Sequence, residues 1–184
     1  KTPIARVLYA RKLLQPFGSG SSRAVFLISS RKVLKIAKNE AGVEQNRTEV
    51  SIARDPDVTP VVTHVFDRDK KFQWIVSELV REIKDPAEFQ KLTGTPWELF
   101  VDILTPEEVE GDDVDTLVND DARTEVIASN PIILAAMELA ANYELALSDL
   151  VDLEHWGKTA DGRAVMLDYG YTVDIADKFY QKVG

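Results

Sequence analysis

The sequence predicts an α+β fold, an antiparallel sheet carrying one helix and followed by a mainly helical second half. Three observations predict it. Short β-rich runs divided by turn residues fill about the first eighty residues, with one amphipathic stretch among them. A run rich in Ala and Leu, "NPIILAAMELAANYELAL", starts at Asn130 with Pro131 in the first turn, the chemistry of a helix start. Beyond it, Asp161-Gly162 lies between two short apolar runs and reads as a hairpin turn.

Taken in order, "VLYARKLL" suits a short helix or a strand leading into a hairpin. Leu13–Phe17, "AVFLIS" and "KVLKIAK" predict three antiparallel strands, the last two joined by a turn at Ser29-Ser30-Arg31. From Glu40 to Arg54, Val43, Val50 and Ala53 fall near one helical face, although Gly42 weakens the first turn. "DPDVTP" breaks the chain, and "VVTHVFDRD" and "KFQWIVSELV" predict two more strands about a turn at Asp69-Lys70. "DPAEFQKLTGTPWELF" predicts short helices and loops, and Thr105-Pro106 followed by Glu107 and Glu108 signals a helix start. The all-round apolarity of the run after Asn130 predicts a buried helix.

Composition narrows the function. With 45% hydrophobic and 29% charged residues, the chain is neither disordered nor membranous in character. Its start is mixed and basic and lacks the apolar core of a signal peptide. A soluble cytoplasmic protein is expected. There is no cysteine, which excludes disulfides, thiol nucleophiles and thiolate metal sites, and two histidines are too few for a His-rich zinc site. The net charge of −9 disfavours general nucleic-acid binding. That charge is uneven: residues 1–50 carry ten Lys or Arg against three Glu and no Asp, whereas Asp102–Asp121 holds nine acids and no base. A positive pocket in an acidic protein, a basic protein partner on the acidic run, or a solvated face all fit this pattern.

Several groups can carry chemistry. Gly18 and Gly20 lie in "GSGSSRAV", where the absence of a Cβ lets the backbone come close to phosphate oxygens. Lys35 follows on the next strand, and a lysine pointing inward there needs a counter-charge. Glu40, Glu44 and Glu49 follow on the helix, with Glu49 best placed, beside Val50 and Ala53. Asp149 comes after the apolar helix, and Asp168 ends the strand "RAVMLD" nineteen residues later, so a carboxylate stands at each end of a hairpin.

In order, "GSGSSRAV", "VLKI", a helix with Glu49, "SELV", an apolar helix, "SDL" and "LDYG" resemble the protein-kinase-like fold, including its small aminoglycoside-kinase branch. "KIAKNEAGVEQNRTE" with "HWG…DGRAVMLDYG" looks particularly like short kinase-like proteins of tailed bacteriophages, which would place the chain in a host bacterial cytoplasm. The resemblance spans residues 12–84 and 131–172 and implies an N-lobe over 1–84 and a reduced C-lobe over 85–184. It implies ATP and Mg²⁺ as cofactors. Gly18 and Gly20 would cover the phosphates, Lys35 would hold them, and Glu49 would orient Lys35. Glu78 to Val80 would meet the adenine through the backbone, Asp149 would act as catalytic base, and Asp168 would bind the metal.

The sequence departs from that family at several points. Arg23 replaces the third glycine of the loop. The catalytic loop reads Leu147-Ser148-Asp149-Leu150, without the family's His and Arg, and no Asn follows at the expected place. Glu154 or His155 stands there instead; Glu154 suits Mg²⁺, and His155 is a poorer ligand for so hard an ion. Asp152 competes with Asp149 for the role of functional acid. Fourteen residues follow Gly170, too few for an activation segment or a peptide-docking platform. Two functions therefore stand: an ATP- and Mg²⁺-dependent phosphotransferase acting on a hydroxyl acceptor, or a catalytically impaired pseudokinase that binds a host or partner protein.

Overall fold

The computed structural model describes residues 2–105, 127–145 and 147–180. Most of the acidic run, and the helix start expected at Pro106, lie outside the described residues; Thr105 itself closes the helix before it. Among the described residues, eight strands form two antiparallel sheets with helices around them, so the chain adopts the expected α+β class.

Helix α1, Pro3–Leu13, settles the first segment as a helix, because Thr2 Oγ1 accepts from the Ala5 N–H at 3.3 Å and Pro3 fits the first turn. Strands β1 (Gln15–Ser19), β2 (Arg23–Ser29) and β3 (Lys32–Ala37) form the expected meander. Helix α2, Glu40–Ile52, is capped by Asn39, whose Oδ1 accepts from the Gly42 N–H at 3.0 Å. Strands β4 (Val65–Arg68) and β5 (Trp74–Glu78) complete a sheet of order β1-β2-β3-β5-β4. Strand β4 is shorter than expected. Thr59–Val61 forms a 3₁₀ turn, and Val61 and Val62 are drawn into the core of the second half, where Val62 bridges Met166.

Strand β6, Val80–Glu82, leaves that sheet and pairs with β7 (Trp156–Thr159), which pairs with β8 (Ala164–Met166). The β7–β8 turn falls at Asp161-Gly162 as expected, with Gly162 at φ +90°. The helices of this half are α3 (Pro86–Thr93), α4 (Trp97–Leu104), α5 (Pro131–Tyr143), the single turn α6 (Leu147–Leu150) and α7 (Val173–Tyr180). Asn130 Oδ1 accepts from the Ile132 and Ile133 N–H groups, which fixes the start of α5. That helix buries one face, through Ile133, Ala136 and Leu139, and leaves Leu134 and Met137 exposed, so its apolarity is not burial all round. No helix among the described residues is long and apolar enough to cross a membrane.

Two cores hold these parts. The smaller packs Val7 and Ala10 of α1 on Ala24, Phe26 and Ile36 of the sheet. The larger centres on Phe89, Phe100 and Trp156, whose rings meet at 5.1 to 5.3 Å. Ile52, Val58, Val61 and Val62 of the first half join it. Strand pairing sets what faces where. Arg23 pairs with Ala37 and Val25 with Lys35, so the period of two puts Arg23 and Lys35 on one face and Ala24, Phe26, Leu34 and Ile36 on the other. The second face is the α1 core, and the first meets α2.

Phe100 is fully buried, and its loss leaves a cavity between two rings that cannot easily close. Phe100→Ala is expected to cost about 3–5 kcal/mol, and the exposed Leu8→Ala less than about 0.5 kcal/mol. Urea unfolding followed by Trp fluorescence checks both.

Candidate functional site

The site is built around a carboxylate with no exposure to solvent. Glu49 takes both oxygens to Lys35 Nζ, at 2.9 and 2.8 Å, and accepts from Arg23 Nη1 at 2.5 Å. Its side chain is 0% exposed, against 10% for Lys35 and 7% for Arg23. A buried carboxylate this short of water is tolerable only with such partners, since unpaired burial is prohibitive. Arg23 also reaches Asn46 Oδ1 through Nη1, and its Nη2 donates to Asp168 Oδ1. One guanidinium thus ties the helix carboxylate to the carboxylate after β8. Two cations and two anions stand within one cluster, and their formal charges cancel.

Asp168 is held by the two residues that follow it. Tyr169 is fully buried and donates its hydroxyl to the Thr63 carbonyl at 2.8 Å, with Thr63 Oγ1 at 3.1 Å and Ser77 beyond it. Burial pushes the Tyr169 phenol well above its ordinary pKa of 10, so it stays a donor. Gly170 passes so close to α2 that a Cβ would lie 2.6 Å from the Gln45 carbonyl oxygen and 2.7 Å from Glu49 Cγ. Asp168 keeps 58% of its side-chain surface exposed. Partial desolvation pushes its carboxyl up, and the charges of Arg23 and then Lys35 more than offset that, so its pKa lies below the ordinary value.

The glycine hairpin is pinned to α2. Ser22 Oγ donates to Gln45 Oε1 at 2.6 Å, and its carbonyl accepts from the Lys38 N–H at 2.8 Å. A Cβ on Gly42 would stand 2.3 Å from that same carbonyl, so this glycine permits the contact and is not merely a weak point in the helix. Gly18 and Gly20 have open space where a Cβ would point. The Gly20 N–H donates to the Arg23 carbonyl at 3.0 Å, and the Lys38 ammonium donates to the Gly20 carbonyl.

The remaining expected residues lie around this cluster. Asp149 sits on α6; His155 Nδ1 lies 3.1 Å from the Asp149 carbonyl and 3.8 Å from its Oδ1. A carbonyl only accepts, so Nδ1 is the donor of this contact. Asp152 caps the 3₁₀ turn Leu153–His155, its Oδ1 accepting from the Glu154 N–H at 3.0 Å. The Glu78 side chain turns to Arg163 at 2.6 Å, and Val80 begins β6 opposite Thr159. The structure thus brings together Lys35, Glu49 and Asp168, and separately Asp149 with His155.

Mg²⁺ is ordinarily held by one or two carboxylates together with the phosphates themselves. Among the described residues the side chains alone make no metal cage, and no three His, Asp or Glu converge on a point that could hold an ion. Asp168, Glu154 and His155, the expected metal set, form no such group, and Asp168 already accepts from a guanidinium. Arg23 is the residue that sequence reasoning left without a role. The signal was there: a long cation in place of a loop glycine, one turn of alternation from Lys35.

No protein-family model and no curated protein matches the chain. Solved structures similar to it include the streptomycin–ATP–APH(2″)-IIa ternary complex, at 10% identity over 92% of this chain and 72% of that one, TM-score 0.42. ADP-bound aminoglycoside phosphotransferase APH(2″)-Ib follows at 10% identity over 90% and 69%, TM-score 0.41. Choline kinase LicA from Streptococcus pneumoniae stands at 12% identity over 91% and 69%, TM-score 0.37. Likeness of this size carries no weight for the site, which rests on its own geometry.

Glu49→Gln leaves two buried cations facing a neutral amide and is expected to cost about 3–5 kcal/mol, measured by urea unfolding at neutral pH. The pH dependence has a definite sign. Asp168 has a depressed pKa when folded, so its contribution is present above the unfolded carboxylate value and is lost as pH falls through the folded one. Thermal melts from neutral pH into acid should show a shallower loss of stability in Asp168→Asn than in the wild type.

Proposed function

We propose that the chain is a kinase-like nucleotide-binding protein whose cleft lies between an N-lobe over 1–84 and a reduced C-lobe over 85–184. The observation that carries this reading is the buried Lys35–Glu49 pair, set on a strand and the helix after it, with Asp168 across the cleft. Glu49 fixes the Lys35 ammonium, whose remaining hydrogen-bonding capacity and charge suit the phosphates of ATP. Gly18 and Gly20, free of side chains, cover them, and backbone groups between Glu78 and Val80 meet the base.

For phosphotransfer to a hydroxyl acceptor, Asp149 is the group to receive the acceptor's proton, with His155 holding the loop beside it. Mg²⁺ would neutralise charge on the transferred phosphoryl group in such a reaction. Asp168, once released by Arg23, would be the carboxylate to hold the ion. The capture of Asp168 by Arg23 favours a second reading, a catalytically impaired pseudokinase whose nucleotide serves the fold or a protein partner.

The test is binding. ATP at 100 times its Kd should stabilise the protein by about 2.7 kcal/mol, seen as a rise in melting temperature, and Lys35→Met, less stable from the start because Glu49 loses a partner, should show no rise on adding ATP. A wild-type protein whose melting point ignores millimolar ATP, with and without Mg²⁺, would remove the basis for a nucleotide site.

A further inference from the structure

We propose that Arg23 takes the place of a divalent cation beside Asp168, so that this cleft receives a nucleoside polyphosphate without metal. The inference rests on the nucleotide-binding reading above and adds the ionic form in which the ligand binds.

Arg23 meets the demands of such a role. Its guanidinium carries a permanent charge, and Glu49 and Asp168 raise its pKa against the opposing effect of burial. Its fork is planar and fits carboxylate or phosphate oxygens side by side. It is also fixed. Nη1 is anchored on Glu49, and the backbone just before it is clamped by the Ser22–Gln45 and Ser22–Lys38 bonds and by the close approach to Gly42. Removing the guanidinium would mean lifting the start of β2 off α2.

Asp168 is the looser partner. Its side chain is 58% exposed whereas that of Arg23 is 7% exposed. An arriving phosphate can therefore displace the carboxylate from Nη2 while the arginine stays in place, exchanging one anion for another. Lys35 lies in the same cluster, and the exposed Lys38 ammonium stands at the hairpin tip against the Gly20 carbonyl and Ser19 Oγ. Three cations then face the phosphates and need no ion between them. A divalent ion at Asp168 would instead have to sit against a fixed guanidinium of like charge, which already holds that carboxylate.

The experiment is a titration of the full chain with a fluorescent ATP analogue, in EDTA and in millimolar MgCl₂, for wild type, Arg23→Gly, Arg23→Lys and Asp168→Ala. Wild-type affinity should be the same in both buffers within about twofold, and Asp168→Ala, which removes the anion competing for Nη2, should bind at least as tightly in EDTA as wild type does. Arg23→Gly, which restores a loop glycine and frees Asp168, should bind at least about tenfold more tightly with Mg²⁺ than without it. Arg23→Lys keeps a cation in place and serves should the glycine variant not fold. Wild-type binding that tightens about tenfold with Mg²⁺, a gain lost in Asp168→Ala, overturns the inference and leaves the nucleotide site standing. Binding by Arg23→Gly alone would make the arginine a plug and also overturn it. No binding by any protein in either buffer overturns the nucleotide reading together with the inference.

Discussion

The charge cluster depends on one carboxylate kept away from water. Glu49 is stable in that place only because Lys35 and Arg23 both reach it, and that requirement fixes much else. The helix must present Glu49 toward the sheet, which sets the rotation of α2. The sheet must present two cations on one face, which the pairing of Arg23 with Ala37 and of Val25 with Lys35 provides. The hairpin and the turn after Asp168 must also come close enough to α2 for these bonds to form. Gly42 allows the hairpin to touch α2 on one side, and Gly170 allows the turn after Asp168 to touch it on the other. Neither glycine is there for a turn; each marks a place where a methyl group would wedge the carboxylate away from its partners.

Parts of this arrangement were legible in the sequence because they rest on local rules. The Asn130 cap, the alternation of β2 and β3 and the Asp161-Gly162 turn are each decided within a few residues. The Lys35–Glu49 pair could be inferred because a buried strand lysine needs a counter-charge and the following helix supplies few choices. What escaped depends on contacts far apart in sequence. The Arg23–Asp168 bond spans 145 residues, and the Tyr169–Thr63 bond spans 106. Neither has a local signature. Gly42 read as a flaw in the helix because its neighbour, the Ser22 carbonyl, belongs to another element. Helix α7 offers only Ile175 and Phe179, four residues apart, as a helical signal, too little in so short a tail to predict it.

The strand β4 and helix α5 show the same limit from the other side. "VVTHVFDRD" carries the composition of a strand throughout, yet Val61 and Val62 serve the second core and only Val65–Arg68 joins the sheet. Helix α5 looks fully apolar, yet it buries only one face. Propensity identified the residues that avoid water without saying which body of the protein would shelter them.

The charge balance of the cluster connects stability with ligand choice. A site made of waiting carboxylates is strained until a cation arrives, because like charges held together repel. Here the carboxylates already have their cations, and both belong to the chain. The protein therefore holds its cleft in shape without help from the solution. The same saturation changes what the cleft can attract. Added positive charge meets a guanidinium that cannot be deprotonated and is fastened to a buried glutamate. Added negative charge meets an arginine whose second partner is half in solvent, a lysine beside it, and another lysine at the rim. Arg23 thus does more than fill space: it neutralises the buried glutamate and keeps one N–H edge turned to a partner that solvent can reach.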